Sequence, residues 1–353
     1  MKKDLTLLFL LVFCSVIGLN AQERIQVVDD QGYPVSFAIV RNESGASIGS
    51  TNMDGYLPDL GDAKTISISH VGYEPKKVRV AGIRANLIKL ETSNFYLQQV
   101  KVTADKPVIR IRAFFRTYAD DASELVVYHS GLVDFFINPA RDDENYNLLS
   151  EVRYVHRDYK REYSASTFTS LGTFSMIEAI KRSPEFEVAD TTDPLLQVIF
   201  VGGKRVGTLI RDSVGKVLRL NIDIVKARNE SKTKHTKTGR VDELESEDMW
   251  NFVYGMGEDG YVSMSNLQMR HRTDSRLYQL KSDGREEKWR RNILQDIYVL
   301  ECEYMSRKDA RAKRREKTPR LDYHALEAVR QEHHIPDIDD QLKVQVEEAF
   351  STQ

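Results

Sequence analysis

The sequence predicts a mainly β protein: an N-terminal seven-stranded β-sandwich, then a curved antiparallel sheet, then C-terminal helices. Three observations carry this. Residues 24 to 104 read as short period-2 segments separated by turn residues about every ten positions, the pattern of an all-β sandwich. Period-2 segments recur through residues 105 to 305. In the last 48 residues the spacing becomes helical, with Ile338, Leu342, Val346 and Phe350 every fourth position.

The chain has 353 residues, 41% of them hydrophobic, which is enough to core two domains. Lys and Arg total 51 against 53 Asp and Glu, so no basic excess points to nucleic acid as a partner. Residues 1 to 21 read as a secretory signal peptide: Lys2 and Lys3, an apolar run over 5–19, then Asn20-Ala21 before polar Gln22. The expected compartment is therefore the cell envelope, periplasmic or outer-membrane associated. Cys14 lies in a lipobox-like stretch, but the bulky Phe13 before it argues against lipidation. Without the signal, Cys302 is the sole cysteine, and no internal disulfide forms. It alternates with Leu300 and Tyr304, the setting of a strand cysteine packed against neighbours rather than a nucleophile.

In the first domain, residues 22 to 104, the candidate strands are 24–29, 35–41, 46–51, 65–69, 76–80, 85–90 and 100–103. Asp29-Asp30-Gln31-Gly32 and Asp54-Gly55 supply turns, because Gly accepts positive φ and Asp bonds its own backbone. The ordered set Asp29-Asp30-Gln31-Gly32-Tyr33-Pro34, Asn52-Met53-Asp54-Gly55-Tyr56 and His70-Val71-Gly72-Tyr73-Glu74, closing on Leu97 to Ala104, resembles the carboxypeptidase regulatory-like domain of Gram-negative envelopes. The resemblance implies a transthyretin-like sandwich with an accessory rather than catalytic role. In that family the domain often precedes a TonB-dependent receptor, but the roughly 250 residues left here are too few for a 22-stranded barrel and its plug.

Residues 105 to 305 form the second, β-rich domain, entered through Asp105-Lys106-Pro107. The stretch 109–118 is basic and aromatic. Segments 124–128 and 132–137 read as a hairpin turning at His129-Ser130-Gly131, and 195–201 with 206–211 as another turning at Gly202-Gly203. In 217–225, Leu218, Leu220, Ile222 and Ile224 alternate with Arg219, Asn221 and Asp223, one buried face and one wet face. Further strands are expected at 261–269, 276–281 and 297–304, with a short helix at 175–182. Residues 306 to 353 carry three helices: Ser306 caps a basic one through Lys317, 322–332 is the second, and the Ile338 series marks the third.

His324-Ala325-Leu326-Glu327, with His333 and His334 beyond, fits a H-x-x-E metal pair, but no third ligand is at hand, so neither a metal nor a cofactor is expected. Residues 255–260 match G-x-G-x-x-G, yet a strand-like segment follows and Glu258-Asp259 would repel phosphate, which makes a turn the better reading. Gly202-Gly203-Lys204 lacks P-loop spacing. The basic stretches 226–240 and 307–317 read as solvated faces or as contacts with anionic lipid. The functional expectation is a non-catalytic envelope protein that binds or scaffolds an envelope protein or glycan. A zinc carboxypeptidase-like hydrolase and an accessory protein of TonB-dependent nutrient uptake are the alternatives.

Overall fold

The computed structural model describes residues 24–93, 107–121, 123–139, 143–157, 174, 176–212, 216–224, 241–257, 260–282, 285–316 and 318–351. The signal peptide expected at 1–21, the strand expected at 100–103 and the basic stretch 226–240 lie outside the described residues.

The protein is mainly β, as its periodicity predicts. The first domain contributes β1 (Gln26–Val28), β2 (Ile39–Asn42), β3 (Ser47–Ser50), β4 (Thr65–Ser69), β5 (Lys76–Arg79) and β6 (Leu87–Lys89). A four-stranded sheet in the order β3-β2-β4-β5 faces the parallel pair β1-β6. Between them Val27, Val35, Val40, Ile66, Ile68 and Ile88 pack into one apolar cluster. Asp29 holds its turn as expected, its Oδ1 accepting from the backbone N–H of Gln31 (3.0 Å) and Tyr33 (2.8 Å).

The second domain is a single open sheet of ten antiparallel strands. In chain order they are β7 (Val108–Asp121), β8 (Glu124–Asn138), β9 (Asp143–Val155), β10 (Phe186–Asp190), β11 (Leu196–Val201), β12 (Lys204–Asp212), β13 (Val217–Asp223), β14 (Val241–Gly255), β15 (Leu267–Ser282) and β16 (Arg285–Met305). The order β10 through β16 and then β7-β8-β9 leaves β9 and β10 as the two edges. The sheet curls strongly: Phe135 of β8 and Ile199 of β11, near opposite edges, join one cluster with Ile177 and Ile180 of helix α1 (Met176–Arg182). Trp250, Phe252 and Tyr254 stack along that concave face with ring centroids 5.9 and 6.1 Å apart.

The convex face carries the rest of the molecule. The sandwich sits on it through Phe37, Ile39, Met53 and Val71, and the helices α2 (Arg307–Lys313), α3 (Tyr323–Glu332) and α4 (Asp340–Ser351) lie beside it. The cap read from the sequence at Ser306 is in place, its side chain accepting from Asp309 N, and the structure adds a second cap, Asp322, which accepts from Ala325 N.

Four expectations are corrected. First, 124–137 is not a hairpin but one continuous strand, β8. Gly131 is there because a Cβ would sit 2.1 Å from Ser150 O on β9, so the glycine marks a close strand approach and not a turn. Gly202-Gly203, with φ of 56° and 75°, is the true hairpin turn. Second, the face of β13 read as wet is buried, because the sandwich covers Arg219, Asn221 and Asp223. Third, 261–269 is interrupted: Ser263 and Asn266 form a capping box that turns Met264–Asn266 into a 3-10 helix before β15. Fourth, the segments at 276–281 and 297–304 belong to much longer strands, and 109–118 is itself strand β7. Charged pairs interrupt their apolar alternation, Arg110 and Arg112 with Asp134 on the outward side and Arg272 with Asp248 on the inward side.

Candidate functional site

Ion pairs fasten the sandwich to the sheet. Arg41 of β2, buried on all sides, pairs with Asp120 at the end of β7, whose other oxygen accepts from Asn292 Nδ2 at 3.0 Å. Arg219 of β13 reaches Asp29 Oδ2 at 3.4 Å and covers the Tyr73 ring at 5.6 Å. Arg205 pairs with Asp54 at 2.6 Å. Asp29, which holds its own turn in shape, thus also anchors it to the sheet, and Asp54 anchors the turn that Asn52 holds by accepting from Asp54 N and Tyr56 N.

Beside these contacts, three elements meet over β15, β16 and β7: the His70–Glu74 loop, the connection between α3 and α4, and the convex face itself. At the bottom is a cavity of about 30 Å³, lined by His70, Arg116, Tyr118, His271, Asp296 and Asp337 among others, which has room for a water. Arg116 donates to Asp296 Oδ2 from Nε (3.1 Å) and Nη2 (2.7 Å), and its Nη1 donates to Pro336 O at 3.2 Å. Asp296 Oδ1 lies 2.6 Å from His271 Nδ1, and His271 Nε2 lies 2.9 Å from Thr273 Oγ1. Burial alone pushes the Asp296 carboxyl up, but Arg116 and His271 more than offset it and hold it at about 2. Burial, reinforced by neighbouring His271, brings His70 down to about 3.

Asp296, His271 and Thr273 have the bonding order of a nucleophilic triad. Thr273 is only 1% exposed and all three lie beneath the sandwich, so a substrate has no approach to the hydroxyl. The constellation instead locks the strands in register.

Directly above opens a cleft of about 300 Å³. One wall is the outer surface of the four-stranded sheet, with Glu43, Ser67, Lys76 and Lys77; the other is Asp337, Asp339, Asp340 and Gln341. Its parts are fixed from below. Arg330 donates to Ile335 O (2.8 Å) and Asp337 Oδ2 (3.1 Å), and Lys343 Nζ donates to the same Asp337 oxygen at 2.5 Å. Burial raises the Asp337 carboxyl, but Lys343 and Arg330 outweigh it and keep it below the usual carboxylate range. Ser67 Oγ donates to Asp339 at 2.9 Å and Gln341 Nε2 to Glu43 O at 3.0 Å, tying the two walls together. The described lining residues include no aromatic ring, cysteine or histidine.

The residues singled out in the sequence lie elsewhere. Glu327 is paired with Arg330 at 2.7 Å and His324 is an exposed neighbour of the Tyr323 ring. Among the described residues no group of three or more His, Cys, Asp or Glu stands ready for a metal. Gly257 and Gly260 close a turn after β14, where Gly260 N donates to Gly257 O at 2.9 Å. Cys302 is half-buried on β16, and burial with nearby Glu303 pushes its thiol up to about 12, too high for a thiolate nucleophile. Sequence reading missed the Arg116–Asp296–His271 network. Its signal was present: Arg110, Arg112 and Arg116 alternate with Ile111, Ala113 and Phe115, a strand with one charged face.

No protein-family model matches this chain, and no curated protein is similar to it in sequence.

Proposed function

We propose that this is an exported envelope protein that works by binding, and that its ligand is a segment of an envelope protein held in the cleft between the sandwich and the α3–α4 connection. The cleft carries this reading. At about 300 Å³ it reaches the lower bound of ligand pockets in general, and its walls are tied from both sides before any ligand arrives. Lys76 and Lys77 on one strand and Glu43, Glu74 and Asp340 around them offer both charges to an extended polar chain. A glycan is the weaker occupant, because the described lining residues offer no ring to stack on a sugar. The signal-like N-terminus supports the compartment, and the resemblance to carboxypeptidase regulatory-like domains supports a non-catalytic role for the sandwich. Service to a nutrient receptor is a special case of the same reading.

A photo-crosslinking residue at position 77 or 340 tests it in intact envelopes. Both positions are expected to give one and the same discrete adduct, and a control at Lys308, on the far helix α2, none. No adduct, or the same adduct from position 308, removes the cleft as the site. Elemental analysis separates the hydrolase alternative: one zinc per chain, lost on His324→Ala, replaces this proposal with a metal-dependent one.

A further inference from the structure

A second pocket lies at the opposite end of β7 and β8, away from the cleft. Helix α2 is seated there by Ala310, which packs with Val108, Phe136 and Met305. That anchor decides which side of the helix faces the sheet. Arg307, Arg311 and Arg314 recur at i, i+4 and i+7, so they share one side, and all three line a pocket of about 110 Å³. The Arg314 guanidinium lies over the Phe136 ring at 5.6 Å, which holds its plane in position. Asn138 and Asn145 form the floor.

We infer that this pocket binds a phosphoryl oxyanion. Among the described residues no carboxylate pairs with Arg307, Arg311 or Arg314. Of the acids in and just after the helix, Asp309 is engaged with Ser306 at 2.6 Å and Glu316 with Lys313 at 2.8 Å. Asn138, 8% exposed, lines the same pocket and is an uncharged neighbour that does not oppose an anion. Guanidinium groups give paired N–H donors that match phosphate oxygens, and they keep their charge at any physiological pH. With a water occupying about 30 Å³ in the liquid, the volume suits one tetrahedral oxyanion rather than a sugar or a nucleoside. The sequence displayed only a basic run at 307–317; the fold turns three of its members onto one point.

The phosphate comes either as a soluble phosphoryl group or as a lipid headgroup, and two arms of one experiment distinguish them. The full mature chain is titrated with inorganic phosphate by calorimetry or amide NMR, and separately with phosphatidylglycerol–phosphatidylcholine vesicles against phosphatidylcholine alone. Saturable phosphate binding that weakens roughly tenfold or more in Arg311→Gln/Arg314→Gln, but less than twofold in Lys308→Gln, supports the site. Vesicle binding with the same sensitivity assigns it to a headgroup; its absence, with phosphate still bound, assigns it to a soluble phosphoryl group. Thermal unfolding of the variants excludes loss of fold. No phosphate binding at millimolar concentration overturns the proposal. So does binding that Lys308→Gln weakens as much as the double variant, since that is diffuse charge and not a pocket.

Discussion

The two faces of the ten-stranded sheet are built differently, although both bury charge: Arg270 and the Arg272–Asp248 pair lie on the concave side against Trp250. On the concave side Phe115, Phe135, Leu220, Phe252 and Ile297 pack around α1 in one apolar cluster. On the convex side apolar patches alternate with buried ion pairs, Arg41–Asp120, Arg116–Asp296 and Arg219–Asp29. The concave core forms when the sheet curls on itself, so burial of any well-shaped apolar side chain suffices. The convex face must receive two separate elements, the sandwich and the C-terminal helices. Directional contacts there fix where each one sits, at a desolvation cost that apolar contacts avoid.

The largest expected effect breaks the concave side. Phe252, fully buried in the aromatic stack, leaves a cavity as Phe252→Ala, and urea unfolding is expected to show a loss of about 4 kcal/mol. A loss below about 1 kcal/mol would mean the sheet does not close over this core. Next, Asp296→Ala strips both Arg116 and His271 of their partner and leaves a guanidinium buried without a counter-charge. The expected cost is about 3 kcal/mol, accompanied by changed amide signals in the α3–α4 connection, because Arg116 also holds Pro336 O.

The third test is pH. His70 Nε2 is sealed, and His271, Asp296 and Arg219 are the charged or titratable groups around the ring. Its folded pKa, about 3, lies below the value of about 6.5 expected when unfolded, so the unfolded chain takes up the proton first. The contribution of neutral His70 is therefore full above about pH 6.5 and is lost as pH falls towards 3. Between pH 6.5 and 5, before most carboxylates titrate, unfolding free energy is expected to drop by at most about 1.4 kcal/mol per pH unit on this account. His70→Gln is expected to flatten that slope; an unchanged slope would place the proton elsewhere.

The smallest effect sharpens the comparison most. Replacing Arg41, Asp120 and Asn292 together by Met, Leu and Leu removes a buried polar group and its side-chain partners at once, leaving only the Gly45 carbonyl without its donor. Stability is expected to stay within about 1 kcal/mol of the parent, while Arg41→Met alone, which leaves Asp120 short of its cation, costs more. If the triple variant keeps its stability but loses cross-linking at positions 77 and 340, the ion pairs serve the placement of the sandwich and not the energy of the fold.

Much of this was legible in the chain. Short strands 65–69 and 76–80 were readable because each turn beside them carries its own Gly or Asp signal, and 322–332 and the Ile338 series because a helical face repeats apolar residues visibly. The long strands β7, β15 and β16 were hidden, since charged pairs such as Arg272–Asp248 at 2.8 Å occupy positions where alternation requires apolar side chains. Gly131 misled for a related reason: a glycine needed for close backbone approach looks the same as one needed for a turn.

The sequence by itself determined the local order: which segments extend, where helices begin, and that β13 buries Leu218, Leu220 and Ile222. Only the tertiary structure decided that the opposite face of β13 is also covered, that the carboxylates of Asp29 and Asp54 reach Arg219 and Arg205 of the sheet, and that Arg307, Arg311 and Arg314 converge on one pocket. Periodicity reports the surroundings of a residue along its own element, whereas these three facts depend on partners far away in the chain. Arg41 and Asp120, 79 residues apart, show no pattern until the sandwich is laid on the sheet.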